Sequence, residues 1–421
     1  MQKSHALRHS RESGNPMSSS DPDLPPNWRA STLGEEIALQ YGKGLPAHAR
    51  LPGSINVYGS NGVVGQHNAA AVKGPGIVVG RKGSVGEVAF SDSDFWPIDT
   101  TYYVENKRNH NWLFLYYLLS TAGLDALNSH SAVPGLNRES AYPIHCCIPP
   151  KPEQKKIAAV LWKVQRTIAT QDRLIAATRD LKASAMQRLF TRGLRNEPLK
   201  DTEIGLIPRS WRFETLSNFA ETTSGGTPNR SETKYYNGDI LWVKSGELND
   251  GYIEDTEEKI TTEGLRHSSA KLFQPGTLLI AMYGATVGKT AILEVAAATN
   301  QAVCAIFTSP EKVDSEFLRY SLIYDRPELL SRRYGGAQPN ISQTVIRNFT
   351  IRCPSLEEQR AIANALATID RKLVHHRKKR AALNDLFQTL LHKLMTAELR
   401  VTHLDIDTRE VAQPETREET T

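Results

Sequence analysis

Apolar residues follow two rhythms along this chain, and each rhythm occurs twice. Ile157, Leu161, Val164, Ile168, Gln171, Ile175, Thr178, Lys182, Ala185 and Leu189 keep an alternating four-three spacing. Ile362, Leu366, Ile369, Leu373, His376, Arg380, Leu383, Phe387, Leu390 and Leu394 keep the same one. A stripe of this kind, sustained over several heptads, predicts a long amphipathic helix with a coiled-coil seam. Pro152 suits the first turn of one helix, Pro354 with Ser355 offers a start for the other, and Gly193 a stop for the first. Such a helix of roughly 33 residues is about 50 Å long at ~1.5 Å per residue. Both stripes turn polar or basic in the middle, at 171–182 and 376–380, which costs stability unless the charges are paired. The two helices most simply bury their stripes against each other. If the copies are related by a pseudo-twofold, that packing is antiparallel and puts a globular domain at each end of a rod. The alternative is two separate helices, each packed on its own domain.

The second rhythm is that of short strands. The runs 77–79, 277–280 and 302–307 are β-type and bounded by Gly, Pro and Asn. One helix accompanies each set, near 111–120 and 315–324. All 14 tyrosines fall within 24–150 or 206–353, so the chain alternates mixed α/β domains with tyrosine-free helices. Four anchors make this a duplication. Pro25-x-x-Trp28 with Leu33 matches Pro208-x-x-Trp211 with Leu216, and the glycine loop 83–86 matches 284–288. The run 113–119 matches 317–323, and Glu153-Gln154 matches Glu358-Gln359. A period this long is not that of a solenoid. It gives one chain the properties of a pseudo-dimer, suited to a target with two half-sites. The expected segments are 1–23 (a disordered tail), 24–150 and 206–353 (the globular domains), 151–197 and 354–398 (the helices), and 399–421 (an acidic tail). Translation from Met17 rather than Met1 is an open alternative.

Composition narrows the class. At 421 residues more than one domain is expected. The net charge of +5 is only mildly basic, but Lys and Arg crowd 151–200 and 360–395. No apolar run reaches the ~20 residues that span a bilayer, and the first 23 residues lack the apolar stretch of a secretory signal. Cys146, Cys147, Cys304 and Cys353 show neither a CxxC pair nor a Cys/His ligand spacing. They read as buried thiols in a reducing, cytoplasmic setting.

No catalytic constellation stands out. Gly284-Ala285-Thr286-Val287-Gly288-Lys289-Thr290 resembles a phosphate-binding loop but has three residues between its glycines where four are needed. Its duplicate replaces Lys-Thr with Glu87-Val88 while keeping the glycines, so a tight turn between strands explains both copies better. Dinucleotide, HExxH and base-flipping methyltransferase motifs are absent, and Glu257-Glu258-Lys259 lacks an upstream Asp that would make it nuclease-like. The recurring loops instead offer side chains suited to nucleic acid: Ser60, Asn61, Arg81, Lys82, Ser84, Asn137 and Arg138 in the first copy. The second copy offers Thr227, Asn229, Lys244, Ser245, Tyr283, Lys289, Arg333, Gln338 and Asn340. Arg and Lys reach guanine edges, Asn and Gln reach adenine, and hydroxyls hold phosphates. Each of these residues is, taken alone, equally a turn residue.

At these loops, at the Pro-x-x-Trp anchors and at the stretches 148–161 and 351–370 that open the two helices, the chain resembles the specificity (S) subunits of type I restriction-modification systems. The likeness runs over about 24–400. It implies an α+β fold: two pseudo-symmetric mixed α/β target recognition domains joined by two long antiparallel coiled-coil helices. It also implies a non-catalytic, DNA-binding subunit that reads a bipartite double-stranded target with a nonspecific gap. Two modification subunits, which carry S-adenosylmethionine, and restriction subunits, which use ATP and Mg, would dock on it, and the chain itself would bind no cofactor or metal. The competing expectations are a self-contained methyltransferase or nuclease with drifted motifs, and a coiled-coil scaffold that never meets DNA.

Overall fold

The computed structural model describes residues 24–127, 135–202, 205–332 and 340–411. The long helices run over Lys151–Arg192 and Leu356–Met395. The chain forms two compact units, one of Met1–Asp172 with Lys378–Thr421 and one of Arg173–Arg377. Each unit therefore holds one globular domain and part of both helices.

In the first unit, strands Ile37–Tyr41, Thr101–Asn106, Gly76–Gly80 and Val88–Ser91 lie in that order in an antiparallel sheet. A smaller sheet joins Gly62–His67, Ile55–Gly59 and Phe95–Pro97, the last pair parallel. Gly76–Gly80 is buried on both faces. Ile77 and Val79 face the main core, whereas Val78 meets Tyr58 and Phe95 of the smaller sheet. A strand covered on both sides has no polar face, hence its unbroken apolar run. The helix Trp112–Thr121 is capped by the Asn111 side chain, which accepts from the Phe114 amide.

The second unit repeats this plan. Ala220–Ser224, Val303–Thr308, Leu278–Ala281 and Thr290–Leu293 follow the same strand order, and Gly251–Ile253 adds a fifth, parallel strand. That strand and the helix Thr262–Arg266 lie between the Pro-x-x-Trp anchor and the glycine loop, where the second copy is longer. The second sheet is ordered Lys259–Ile260, Tyr236–Val243, Ala297–Thr299, Leu272–Phe273. The helix Ser315–Tyr324 is capped by Asp314.

The matched anchors meet in space in each unit. Trp28 donates its indole N–H to Glu153 Oε2 at 2.9 Å, and Trp211 does the same to Glu358 Oε2 at 3.3 Å. Gln154 Oε1 accepts from the Asn111 amide and Gln359 Oε1 from the Asp314 amide, the cap residues of the shorter helices. The same Gln side chains donate to the carbonyls of Pro149 and Pro354. Even a departure between copies preserves a contact. Tyr117 donates to Gln165 Oε1 at 2.9 Å, and Tyr320 donates to Asp370 Oδ2 at 2.7 Å. Each long helix is thus stapled at its start to its own globular domain by buried hydrogen bonds, which are costly to leave unmade.

Within each unit the long helices run antiparallel. In the first, Glu153 meets Arg400 and Asp172 meets Arg380 at 2.6 Å. In the second, Lys182 meets Asp370 at 2.6 Å, and Arg195, just past the end of the first long helix, meets Glu357. The basic mid-seam positions Lys182 and Arg380 are thereby paired with carboxylates from the other helix.

The heptad seam needs a correction. Ile157, Leu161, Ile175, Ile362, Leu366, Leu373 and Leu394 are buried, but Val164, Ile168, Leu189, Ile369, Leu383, Phe387 and Leu390 are only half-buried. Near the helix C-termini burial extends one residue beyond the stripe, to Met186 and Phe190 in one helix and to Leu391 and Met395 in the other. In the first unit Ile157, Leu161, Leu391 and Leu394 share one core with Trp28, Phe114 and Leu118. The helix ends therefore pack both on each other and on a globular domain. A helix that meets two surfaces buries a wider face than the narrow a/d stripe of a coiled coil.

The segment expected to be an acidic tail from residue 399 docks on the first unit instead. Val401 and Val411 are buried, Lys156 donates to the carbonyls of Thr402 and Leu404, and Arg400 forks onto Glu153 at 2.6 and 2.8 Å. The segments 1–23 and 412–421 lie outside the described residues.

Candidate nucleic-acid interface

Both glycine loops are hairpin turns. In the first, Gly80 N–H donates to the Glu87 carbonyl and Gly86 N–H to the Gly80 carbonyl, each at 2.8 Å. In the second, Ala281 N–H donates to Lys289 and Gly288 N–H to Ala281, again at 2.8 Å. Gly86 and Gly288 adopt φ of 76° and 78°, a region that L side chains rarely enter. A Cβ at Gly86 would also stand 2.3 Å from the Asp125 amide nitrogen. The second loop runs into strand Thr290–Leu293 rather than into a helix, which removes the resemblance to a nucleotide loop, since phosphate cradles of that type end at a helix N-terminus.

A bridge joins each hairpin to the loop that precedes the return strand, His145–Ile148 in the first unit and Thr350–Cys353 in the second. Lys82 pairs with Gly135, and Tyr283 pairs with Asn340. Leu136 N–H donates to the Arg81 carbonyl at 2.9 Å, and Ile341 N–H to that of Met282 at 2.8 Å. Arg81, Lys82, Ser84, Asn137 and Arg138 are thus gathered in the first unit, and Tyr283, Asn340, Lys244 and Ser245 in the second. Ser245 joins through its carbonyl, which accepts from Thr286 Oγ1 at 2.6 Å. Arg333 and Gln338 lie outside the described residues.

Several candidates are engaged within the fold. Ser60 Oγ donates to the Thr100 carbonyl at 2.8 Å, the same oxygen that the Arg81 and Lys82 amides use. Asn137 caps the short helix Arg138–Ala141, and Asn229 accepts from the Ser231 amide and hydroxyl. Thr227 donates to Gln301, whose amide also reaches Tyr283. Asn61 and Lys82 are exposed, and Ser84 and Lys289 half-buried.

The first site has an aromatic centre that sequence reasoning missed. Tyr41 is 55% exposed. The Arg81 guanidinium lies over its ring at 5.3 Å and that of Arg138 at 5.2 Å, with Arg81 also 5.9 Å from Tyr102. Arg81 Nη2 donates to the Asp99 carbonyl at 2.5 Å, and Arg138 Nη1 to that of Leu39 at 3.3 Å. Burial and the adjacent Tyr41 push the Tyr102 phenol up to about 12, so it stays protonated and donates to the Leu136 carbonyl at 3.1 Å. The only prior signal was an aromatic at a strand end.

The second site carries carboxylates. Lys244 pairs with Glu257 at 2.8 Å and Glu258 at 3.0 Å, and Arg230 pairs with Glu258 at 2.6 Å. Arg230 stacks over Tyr236 at 4.7 Å and Trp242 at 5.0 Å. The hydrogen bonds from Arg230 and Lys244 hold the Glu258 carboxyl below its usual range. The cysteines are free, and burial raises the thiols of Cys146 and Cys304 to about 12, which keeps them protonated and unreactive.

Comparison with known proteins fixes the family. The model of the type I restriction modification DNA specificity domain matches residues 26–177 and again 208–384. The chain belongs to this family. Both copies carry the match, and membership makes this a DNA-specificity chain rather than an enzyme. It is 28% identical over 305 residues to the type I restriction enzyme MjaVIII specificity subunit of Methanocaldococcus jannaschii, covering 70% of this chain and 71% of that one. It is 23% identical to the EcoR124I/EcoR124II specificity subunit of Escherichia coli, covering 61% and 63%. The fold matches the S subunit of a type I restriction-modification system from M. genitalium with a TM-score of 0.66 at 18% identity, over 89% of this chain and 98% of that one. A chain from a study of complex assembly in a type I system aligns with a TM-score of 0.54 at 19% identity, over 90% and 100%. Among the described residues no helix is long and apolar enough to cross a membrane.

Proposed function

We propose that this chain is the cytoplasmic specificity subunit of a type I restriction-modification assembly, in which each globular domain reads one half of a bipartite duplex target. The observation that carries this reading is the recurrence, in both units, of a glycine hairpin bridged to the loop before the return strand, with cationic and aromatic side chains around it. Arg and Lys at such a surface neutralise phosphates and reach base edges. The two antiparallel helices act as spacers, so their length sets the nonspecific gap between half-sites. Two modification subunits, which bind S-adenosylmethionine and methylate a flipped adenine, dock along the helices. Restriction subunits supply ATP hydrolysis and cleavage with Mg, and this chain itself holds no cofactor.

Domain exchange tests the assignment. Replacing 24–150 with the same part of a relative, in the complex with the modification subunit, changes one half of the methylated sequence and leaves the other intact. Unaltered specificity would count against two independent readers. Methyl transfer by the purified chain alone would establish the competing enzyme reading. Inserting one heptad in both long helices, roughly 10 Å, widens the gap or abolishes assembly, and an unchanged gap in an active complex would refute the spacer role.

A further inference from the structure

We propose that Arg81 is a specificity-determining residue of the first domain, reading a guanine edge in the major groove, and that Tyr41 is the residue that positions it. The inference rests on the recognition reading above and assigns a base-reading role within it. A phosphate contact asks a side chain only for charge and reach, whereas reading a base asks for a planar donor set held in advance. Arg81 is held in advance. Its guanidinium lies over Tyr41 and Tyr102, its Nη2 is tied to the Asp99 carbonyl, and its own backbone is bonded on both sides, to Thr100 and Leu136.

Its charge is not spent inside the fold. Among the described residues no carboxylate forms an ion pair with Arg81, whereas Arg230 in the second unit is paired with Glu258. Tyr41 is the exposed member of the cluster and is flanked by a second guanidinium, that of Arg138. A guanidinium with its side-chain entropy already lost matches the two acceptors, O6 and N7, that guanine presents in the major groove. Lys82, next in sequence, is exposed and compact in charge, and it serves a phosphate.

The test uses the complex of the full chain with its modification subunit and a pool of randomised duplex DNA, from which the wild type selects a consensus. Arg81→Lys keeps the charge and loses the fork. It is expected to lose preference at one position of one half-site by roughly 5- to 150-fold, with the other half-site and the salt dependence unchanged. Tyr41→Ala reproduces that loss, and Tyr41→Phe, which keeps the ring, does not. Lys82→Ala weakens binding to all sequences alike and reduces the slope of log affinity against log salt by about 0.9. A consensus kept whole by Arg81→Lys, or a loss spread evenly over all sequences, overturns the assignment of Arg81. Failure of the wild type to select any consensus overturns instead the recognition reading on which it rests.

Discussion

The two globular domains share their supports and differ in what surrounds their cations. In both, a Trp-Glu-Gln staple ties the start of a long helix to the shorter capped helix. In both, the glycine hairpin closes through the same pair of backbone bonds. At the first site two arginines flank an exposed tyrosine, and among the described residues the one ion pair there is the long, exposed contact of Arg138 with Glu139 at 3.3 Å. At the second, Glu257 and Glu258 pair with Lys244 and Arg230. The staples differ in one link as well. Arg400 closes the first on Glu153, whereas the Leu194 amide closes the second on Glu358 at 2.9 Å. The framework is held by buried, fixed-geometry contacts that tolerate little change, while the loop surfaces are free to diverge between the copies.

The largest expected effect tests the shared framework. Trp211 is fully buried in the second core, and Trp211→Ala should cost about 3–5 kcal/mol of stability by denaturant unfolding. A cost near zero would mean that the anchor is decorative. Arg400→Ala should destabilise the first unit by about 2 kcal/mol, because the buried Glu153 loses its bidentate partner while the exposed part of Arg400 loses little. The second unit offers no matching side chain to remove, since its link is a backbone amide. Equal protease sensitivity of both units after this change would erase the contrast.

Acid sharpens the comparison further. Burial of Glu36 opposes its charge, but hydrogen bonds from Ser31, Arg29 and His110 outweigh that and hold its carboxyl below the usual range. A depressed carboxyl contributes stability that is present above its unfolded pKa, ~4.3, and is lost as pH falls through the folded value. The first unit should therefore weaken below about pH 4, and Glu36→Gln should be less stable at pH 7 with a flatter acid limb in a pH series of melting curves. A parallel acid limb in that variant would assign the loss to other groups.

Smaller effects follow at the surface and at the helix ends. Glu258→Gln releases Arg230 and Lys244 in part, and the salt slope of DNA binding by the complex should steepen by up to about 2, at ~0.9 per added phosphate contact. The smallest concerns the two helix ends. Gly193 and Ala397 follow the long helices at φ of 63° and 62°. Ala397→Gly should raise stability by about 0.5–1 kcal/mol by relieving the left-handed strain on an L side chain, whereas Gly193→Ala should destabilise, because its Cβ would meet Glu358 Oε1 at 2.7 Å.

The sequence by itself determined the duplication, the pairing of a tyrosine-bearing domain with a tyrosine-free helix, the short helices near 112 and 315, and the turn role of the glycine loops. Those features are written locally, in periodicity, in caps and in residues that only certain backbone angles allow. It also placed the anchors, though not the staple they form, because Trp28 and Glu153 are joined only by folding. Tertiary structure decided the rest. The helix ends bury Met186, Phe190, Leu391 and Met395 beyond the predicted stripe because a second surface covers them. Tyr41, Arg81 and Arg138 come from three distant stretches of chain and meet only where the sheet edge, the hairpin and the return loop converge. No spacing rule encodes such a meeting, since it depends on which strands pair and in what register.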